Sequence, residues 1–290
     1  MLGTLVVLYL FLGGCGAGIM FVTAAWSIGF HRTLARTQQQ TIAFEAFKAC
    51  CYTAGFVMLC LAALCLLLDL GKPERAYLLF MRPTFSILSF GSFALLACLA
   101  ISGFLAAVNV LYVPFVHAPA RKVAEALCLV ISFAMMAYTG IYVGWIEAVP
   151  LWSGWSIAAL FALSSLSAGL SATFVVAAFV RDTMLLDGWL GLLHRVHLAI
   201  LALEVAALGA FLAMAIANPF THESLRVLLD ADGLGAWFVV GFAGLGLLVP
   251  LGAELLVAVT RRVARLLPID VLCILGGLIL RFCVVWSGMH

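Results

Sequence analysis

Eight runs of mostly apolar residues, at 4–30, 45–69, 86–112, 122–147, 154–180, 192–217, 234–260 and 267–288, take up most of the 290-residue chain. Each is long enough to cross a hydrocarbon layer about 30 Å thick as a helix. Lipid offers the backbone no hydrogen-bond partner, so spanning segments are helices or strands of a closed barrel. Barrel strands alternate apolar and polar residues, and these runs do not. The expected fold is an all-α integral membrane protein with eight transmembrane helices. Composition agrees, with 66% of residues apolar, 10% charged and a mean hydropathy of +1.22. That leaves too little polar surface to cover a water-facing globule. A net charge of +2, spread along the chain, excludes a nucleic-acid reader. The first run has neither the basic flank nor the cleavage site of a signal peptide and reads as a retained helix.

Orientation follows from Lys and Arg in the connections, whose excess stays on the cytoplasmic side. Arg32, Arg36, Lys48, Arg121, Lys122, Arg181, Arg195, Arg261, Arg262 and Arg265 fall on one side. Lys72, Arg75, Arg82 and Arg226 fall on the other, and Arg281 lies inside the last run. Ten against four predicts an inner (cytoplasmic) membrane protein with both termini outside. Trp145, Trp152, Trp155, Trp237 and Trp286 then lie at the outer interface, as an aromatic belt. Runs one (GGCGAGIMFVTAAW) and five (SSLSAGLSATFVVAAF) are both rich in small residues and enter from the same side. Ordinary close packing explains this. So does a duplication that divides the single transmembrane domain into two four-helix bundles, with halves 1–150 and 151–290.

The nine cysteines sit mostly in apolar runs with no C-x-x-C pair, so no iron–sulfur or metal site is expected in this chain. Polar chemistry concentrates in the 2–3 connection, where Asp69, Lys72, Glu74, Arg75 and Arg82 fall within fourteen residues. Gly71, Pro73 and Pro83 force a turn there. Snorkelling anchors at a helix end would account for these charges. The functional reading is a polar site at membrane depth, where Lys72 or Arg75 holds a carbonyl oxygen and Asp69 or Glu74 exchanges protons with it. Further in, His194, His197 and Glu204 share one face of run six. With Glu254 in run seven and Arg281 in run eight they form either a buried cluster that pairs helices or a proton route from the inner side. A b-type cytochrome needs facing histidine pairs. His31, His117, His194 and His197 lie near the inner boundary and His222 and His290 outside, so one pair such as His31 with His197 is conceivable, but not a two-haem wire across the membrane. No haem is expected. A secondary transporter remains an alternative class, although no run is visibly broken near its middle. A purely structural anchor is another.

The segment from Tyr9 through Gly13, Gly14 and Gly16 to Gly18 resembles the opening helix of the NrfD/polysulfide-reductase membrane-subunit family. LDLGKPERA, at 68–76, resembles that family's L-D-L-G-x-P-x-R-A signature, and the stretch from Gly276-Gly277 through Arg281 to Ser287-Gly288 resembles its last helix. The resemblance implies a quinone- or quinol-binding anchor, for menaquinone or ubiquinone, without haem, in an oxidoreductase complex of anaerobic respiration. It implies an iron–sulfur, ferredoxin-like subunit docked on the outer face and usually a molybdopterin catalytic subunit. Its quinone pocket lies near the outer face, where the charge count puts the 2–3 connection. The resemblance thus assigns Gly14, Gly18, Asp69, Lys72, Glu74, Arg75 and Arg82 to the quinone, with Asp69 as the catalytic proton exchanger. In the related DMSO-reductase anchors a histidine stands where Asp69 stands here.

Overall fold

The computed structural model describes residues 3–32, 36–69, 87–111, 118–146, 149–230, 233–260 and 266–288. These residues are helical with no strand among them. In chain order the helices are α1 (Thr4–Arg32), α2 (Gln38–Asp69), α3 (Ile87–Val110), α4 (Ala118–Gly144) and α5 (Trp155–Phe179). They continue with α6 (Asp187–Ala217), the short α7 (His222–Leu229), α8 (Ala236–Thr260) and α9 (Leu267–Ser287). All but α7 are long and apolar enough to cross a membrane, so the chain is a multi-pass membrane protein with the eight spans the sequence predicts. One end of the bundle, where α1, α5 and α8 finish, adjoins the arginine-rich connections. The other carries Asp69.

Helices α1 to α4 close into a ring, each packed on the next and α4 returning to α1. A second ring is formed by α5, α6, α8 and α9. The rings join where α1 packs on α5 and α9, and α4 on α5. Lipid-facing sides carry exposed Leu64, Phe90, Phe133, Val240 and Leu256, which hydrocarbon accepts without cost. Between helices in lipid no hydrophobic drive operates, and close van der Waals approach replaces it. The small residues supply that approach. A Cβ on Gly18 would run into the Ser165 carbonyl, and one on Gly169 would lie 2.5 Å from the Gly18 carbonyl carbon. Gly246 of α8 meets Gly276 of α9 in the same way, at 2.5 Å.

Three sequence expectations change in detail. Helices α2 and α6 begin at Gln38 and Asp187, earlier than their apolar runs, because a helix continues past the hydrocarbon boundary on polar residues such as Gln39, Gln40 and Gly188. Span seven is not a uniform α-helix, since Ala236–Leu248 is wound as a π-helix. Pro250 follows it closely; lacking an N–H and crowding the carbonyl four residues back, it disturbs the ladder there. Trp152 is not a belt residue. Whereas Trp145, Trp155 and Trp237 are exposed, Trp152 is buried and donates from Nε1 to the Val284 carbonyl at 2.8 Å, which holds the end of α9.

The α1–α5 crossing yields a test. Gly169→Val places two methyl groups where the α1 backbone already lies, an overpacking expected to cost about 1–3 kcal/mol or more. The thermal unfolding midpoint of the detergent-purified chain should fall, while Gly209→Val, at a position with nothing within 4 Å, should leave it nearly unchanged.

Candidate functional site

Asp69 ends α2 and is exposed, with its Oδ1 only 3.1 Å from where a Cβ on Gly3, just before α1, would stand. Tyr142 of α4 lies within electrostatic reach of it. Deeper on the same side, the Tyr138 and Tyr142 rings stand 5.8 Å apart, and Tyr138 packs into the space left by Gly91 of α3. Tyr9 of α1 is 2% exposed and interacts electrostatically with Tyr138, yet its hydroxyl has no partner at hydrogen-bonding geometry among the described residues. Tyr138 is thus at most a weak partner for this hydroxyl, which leaves it able to donate to a ligand or a water. The Asp69 end of the first ring therefore gathers a carboxylate and three phenols between α1, α2 and α4. Lys72, Glu74, Arg75 and Arg82, which the sequence assigns to the same place, lie outside the described residues.

In the second ring the face predicted on α6 is buried and meets Glu254 of α8. His194 Nδ1 donates to Glu254 Oε2 at 2.9 Å, and His197 Nδ1 donates to Oε1 at 2.8 Å. An ionised carboxylate only accepts, so both Nδ1 atoms carry the hydrogen and a neutral His197 presents Nε2 as an acceptor. Ser171 Oγ lies 3.4 Å from that atom and Cys273 Sγ 4.0 Å. Ser167 Oγ, 3.9 Å from Cys273 Sγ, donates to Glu204 Oε2 at 2.7 Å. Phe174 stacks on the His194 ring at 4.2 Å and fixes its plane. At the arginine-rich end a cavity of about 160 Å³, lined by Asp187, His194 and Asp270 among others, opens onto this network. Asp270 also lies within electrostatic reach of Glu254. Polar atoms thus run from that cavity to Glu204, halfway along α6.

Arg281 extends the line toward the first ring. Its side chain is wholly buried, with Nη1 donating to the Gly277 carbonyl at 2.7 Å and lying 3.4 Å from Ser164 Oγ. Nη2 donates to Ser165 Oγ at 2.6 Å and to the Phe161 carbonyl at 3.2 Å. The guanidinium also sits over the Phe161 and Phe11 rings, 5.2 and 5.8 Å from their centroids. Serines and carbonyls hold the cation, and Glu204 acts on it from a distance. Gly14 makes room for this arrangement, because a Cβ there would collide with Ser165 Oγ and stand 3.1 Å from Nη2. Gly14 and Gly18 thus spend their missing side chains on protein packing between the rings.

The sequence reading passed over Tyr138, Tyr142, Asp270 and the serines of α5. A signal was present for the last, since Ser164, Ser167 and Ser171 recur at helical spacing along one face. The haem pair does not assemble, for His31 bonds to the Ser27 carbonyl at 2.8 Å in the first ring while His197 is held by Glu254 in the second. Among the described residues no group of three or more His, Cys, Asp or Glu is arranged to hold a metal ion.

The family model described as polysulphide reductase, NrfD, matches residues 1–290. The chain belongs to the NrfD polysulphide reductase family. It is 25% identical over 171 residues to Protein NrfD of Escherichia coli (strain K12), covering 59% of this chain and 54% of that protein. It is 26% identical over 169 residues to the C subunit of polysulfide reductase from Wolinella succinogenes, covering 57% and 53%. Against the Protein NrfD homolog of Haemophilus influenzae the figures are 25% over 169 residues, 57% and 52%. The chain spans about half the length of the relatives it matches.

Arg281 gives this site its own test. Lysine keeps the charge but lacks the planar fork that reaches four acceptors at once. Arg281→Lys should leave buried serine or carbonyl oxygens unpaired and lower stability by about 1–3 kcal/mol, read from the thermal midpoint in detergent.

Proposed function

We propose that the chain is the membrane anchor of an oxidoreductase complex and exchanges electrons between the membrane quinone pool and an iron–sulfur subunit docked at its Asp69 end. In this reading the iron–sulfur subunit serves a molybdopterin catalytic subunit, and the Asp69 end faces the outside of the inner membrane. Family membership supports the anchor role, and the ten-to-four charge distribution supports the orientation. The observation that carries the quinone is the buried Tyr9 hydroxyl, which Tyr138 alone approaches among the described phenols, with Tyr142 linking the pair to Asp69. A quinone carbonyl fits that donor, and the exposed apolar sides of α2 and α3 suit an isoprenoid tail.

When bound, the quinone supplies two-electron, two-proton redox chemistry. The chain's own residues do the rest. Tyr9 donates a hydrogen bond to a carbonyl oxygen, and Tyr138 fixes Tyr9. Asp69, at the edge of the hydrocarbon, exchanges a proton between the site and water. Lys72, Glu74, Arg75 and Arg82 follow Asp69 in sequence and belong to the headgroup site or the docking surface. Gly14 and Gly18 contribute by bringing α1 against α5. The line from Asp270 and His194 through Glu254, His197, Ser167 and Glu204 to Arg281 is a proton route from the arginine-rich side. Its polar spacing and the cavity at its mouth, roomy enough for several waters, support that role.

Two variants divide the reading. Asp69→Asn should slow quinol turnover about tenfold or more while the iron–sulfur subunit stays bound, measured by quinol oxidation and subunit retention on the same preparation. Parental turnover in an intact complex would remove the proton role from Asp69. Glu204→Gln should reduce proton movement in proteoliposomes and leave quinone-analogue affinity unchanged. Full proton movement in a folded variant would make the buried line a structural cluster.

A further inference from the structure

The first ring contains a buried charged cluster that neither the quinone site nor the line in the second ring uses. Glu125 of α4 is 5% exposed and accepts from Ser27 Oγ of α1 at 2.7 Å. Lys48 of α2, 3% exposed, lies 3.6 Å from Glu125 Oε1 and 2.9 Å from Glu45 Oε2. Glu45 and His31, 3.6 Å apart, have side chains 27% and 32% exposed and form the mouth of the cluster at the arginine-rich end. One turn deeper on α2 lies Tyr52. It is fully buried and electrostatically coupled to Glu125, and its hydroxyl has no hydrogen-bond partner among the described residues. Cys128 and Ser132, one and two turns along α4, continue the polar face with sulfur and oxygen 3.7 Å apart.

Three elements therefore converge on Glu125. Ser27 faces it from α1 and Lys48 and Tyr52 from α2, with His31 and Glu45 behind Lys48; on α4 its neighbours are Cys128 and, one turn back, Arg121 and Lys122. Helices α3 and α5, which also pack on α4, carry no charged residue. A purely structural ion pair would need Lys48 and a carboxylate, and Glu45 already provides the closer one. Glu125 is then a second carboxylate, directed inward instead of toward water. An orphaned phenol beside it in a low-dielectric interior calls for a bridging water.

We propose that Glu125, with Lys48, Tyr52 and internal water, is a proton-exchange site of the first ring, open to the arginine-rich side through Glu45 and His31. The proton passes from water at the Glu45–His31 mouth to a Glu125 carboxylate oxygen and returns the same way. The site rests on the quinone reading only for the turnover that would draw protons through it; its exchange with water does not need a quinone.

The test is infrared difference spectroscopy of the full chain in its complex across a pH titration, in H2O and in D2O. The parental spectrum should contain a carboxylic C=O band that moves on exchange into D2O. Glu125→Gln keeps the Ser27 hydrogen bond and should lose that band, whereas Glu204→Gln should keep it. Tyr52→Phe removes a single hydroxyl that has no protein partner among the described residues, so it should fold normally and shift the band without abolishing it. An unchanged band in Glu125→Gln overturns the proposal. So does a Tyr52→Phe spectrum identical to the parent, since the phenol would then have no part in the site. Quinone-analogue binding measured on the same samples keeps the two readings apart: loss of binding with the band retained defeats the quinone reading and supports this site.

Discussion

Helix α1 is the axis on which both rings turn, and it holds that place because Gly14, Gly16 and Gly18 have no side chains. It packs on α2, α4, α5 and α9, and its apolar core is the most enclosed of the eight spans. In lipid a helix gains nothing by hiding leucines from hydrocarbon, so a central helix has to be held by backbone proximity. Each glycine serves a different neighbour. Gly16 admits the Gly55 carbonyl of α2, with a Cβ position 3.2 Å away; Gly18 admits the Ser165 carbonyl of α5; Gly14 admits Ser165 Oγ and Arg281. The rings are joined, and the buried cation is housed, by one glycine-rich stretch.

Arg281 shows what that housing must achieve. Removing a guanidinium from water costs several kcal/mol even after relaxation. No carboxylate lies in contact with it among the described residues; Ser164, Ser165 and two carbonyls supply acceptors for Nη1 and Nη2, two aromatic faces flank it, and Nε has no partner among the described residues. Serine works here because it is small enough for a helix crossing and still carries a hydroxyl. The run of serines on α5 is thus both a packing surface and the polar lining of the second ring.

How much of this the sequence disclosed depends on whether a feature is periodic or a matter of pairing. The eight spans are legible because hydrocarbon thickness sets their length. The shared face of His194, His197 and Glu204 is legible because helical spacing sets it. The partner of that face is not, since which residue of span seven meets it depends on how the rings close, and Glu254 enters from a π-wound span that apolar counting treats as ordinary helix. Arg281 is conspicuous in the sequence as a charge inside a span, but its ligands are serines and carbonyls that carry no charge signal. Lys48 counts among the connection charges, and Glu125, near the start of its apolar run, has no signal of its own in the sequence. Only the convergence of α1, α2 and α4 shows them to be buried.

The two polar networks also share a constraint that no single residue reveals. A membrane that holds an ion gradient cannot contain a continuous polar file from face to face, because protons would run down it. In the second ring hydrogen-bonding atoms proceed from the cavity at Asp270 to Arg281 and end there against Phe11 and Phe161. In the first they proceed from Glu45 to Ser132 and end below Met135, whose methyl group packs against Gly13 of α1. Tyr9 and Tyr138 resume the polar surface only beyond that point, and six residues of α4 separate Ser132 from Tyr138, a rise of about 9 Å. Each ring therefore pairs a polar lower half with an apolar seal at the level of the α1 glycines, and α1 carries both seals.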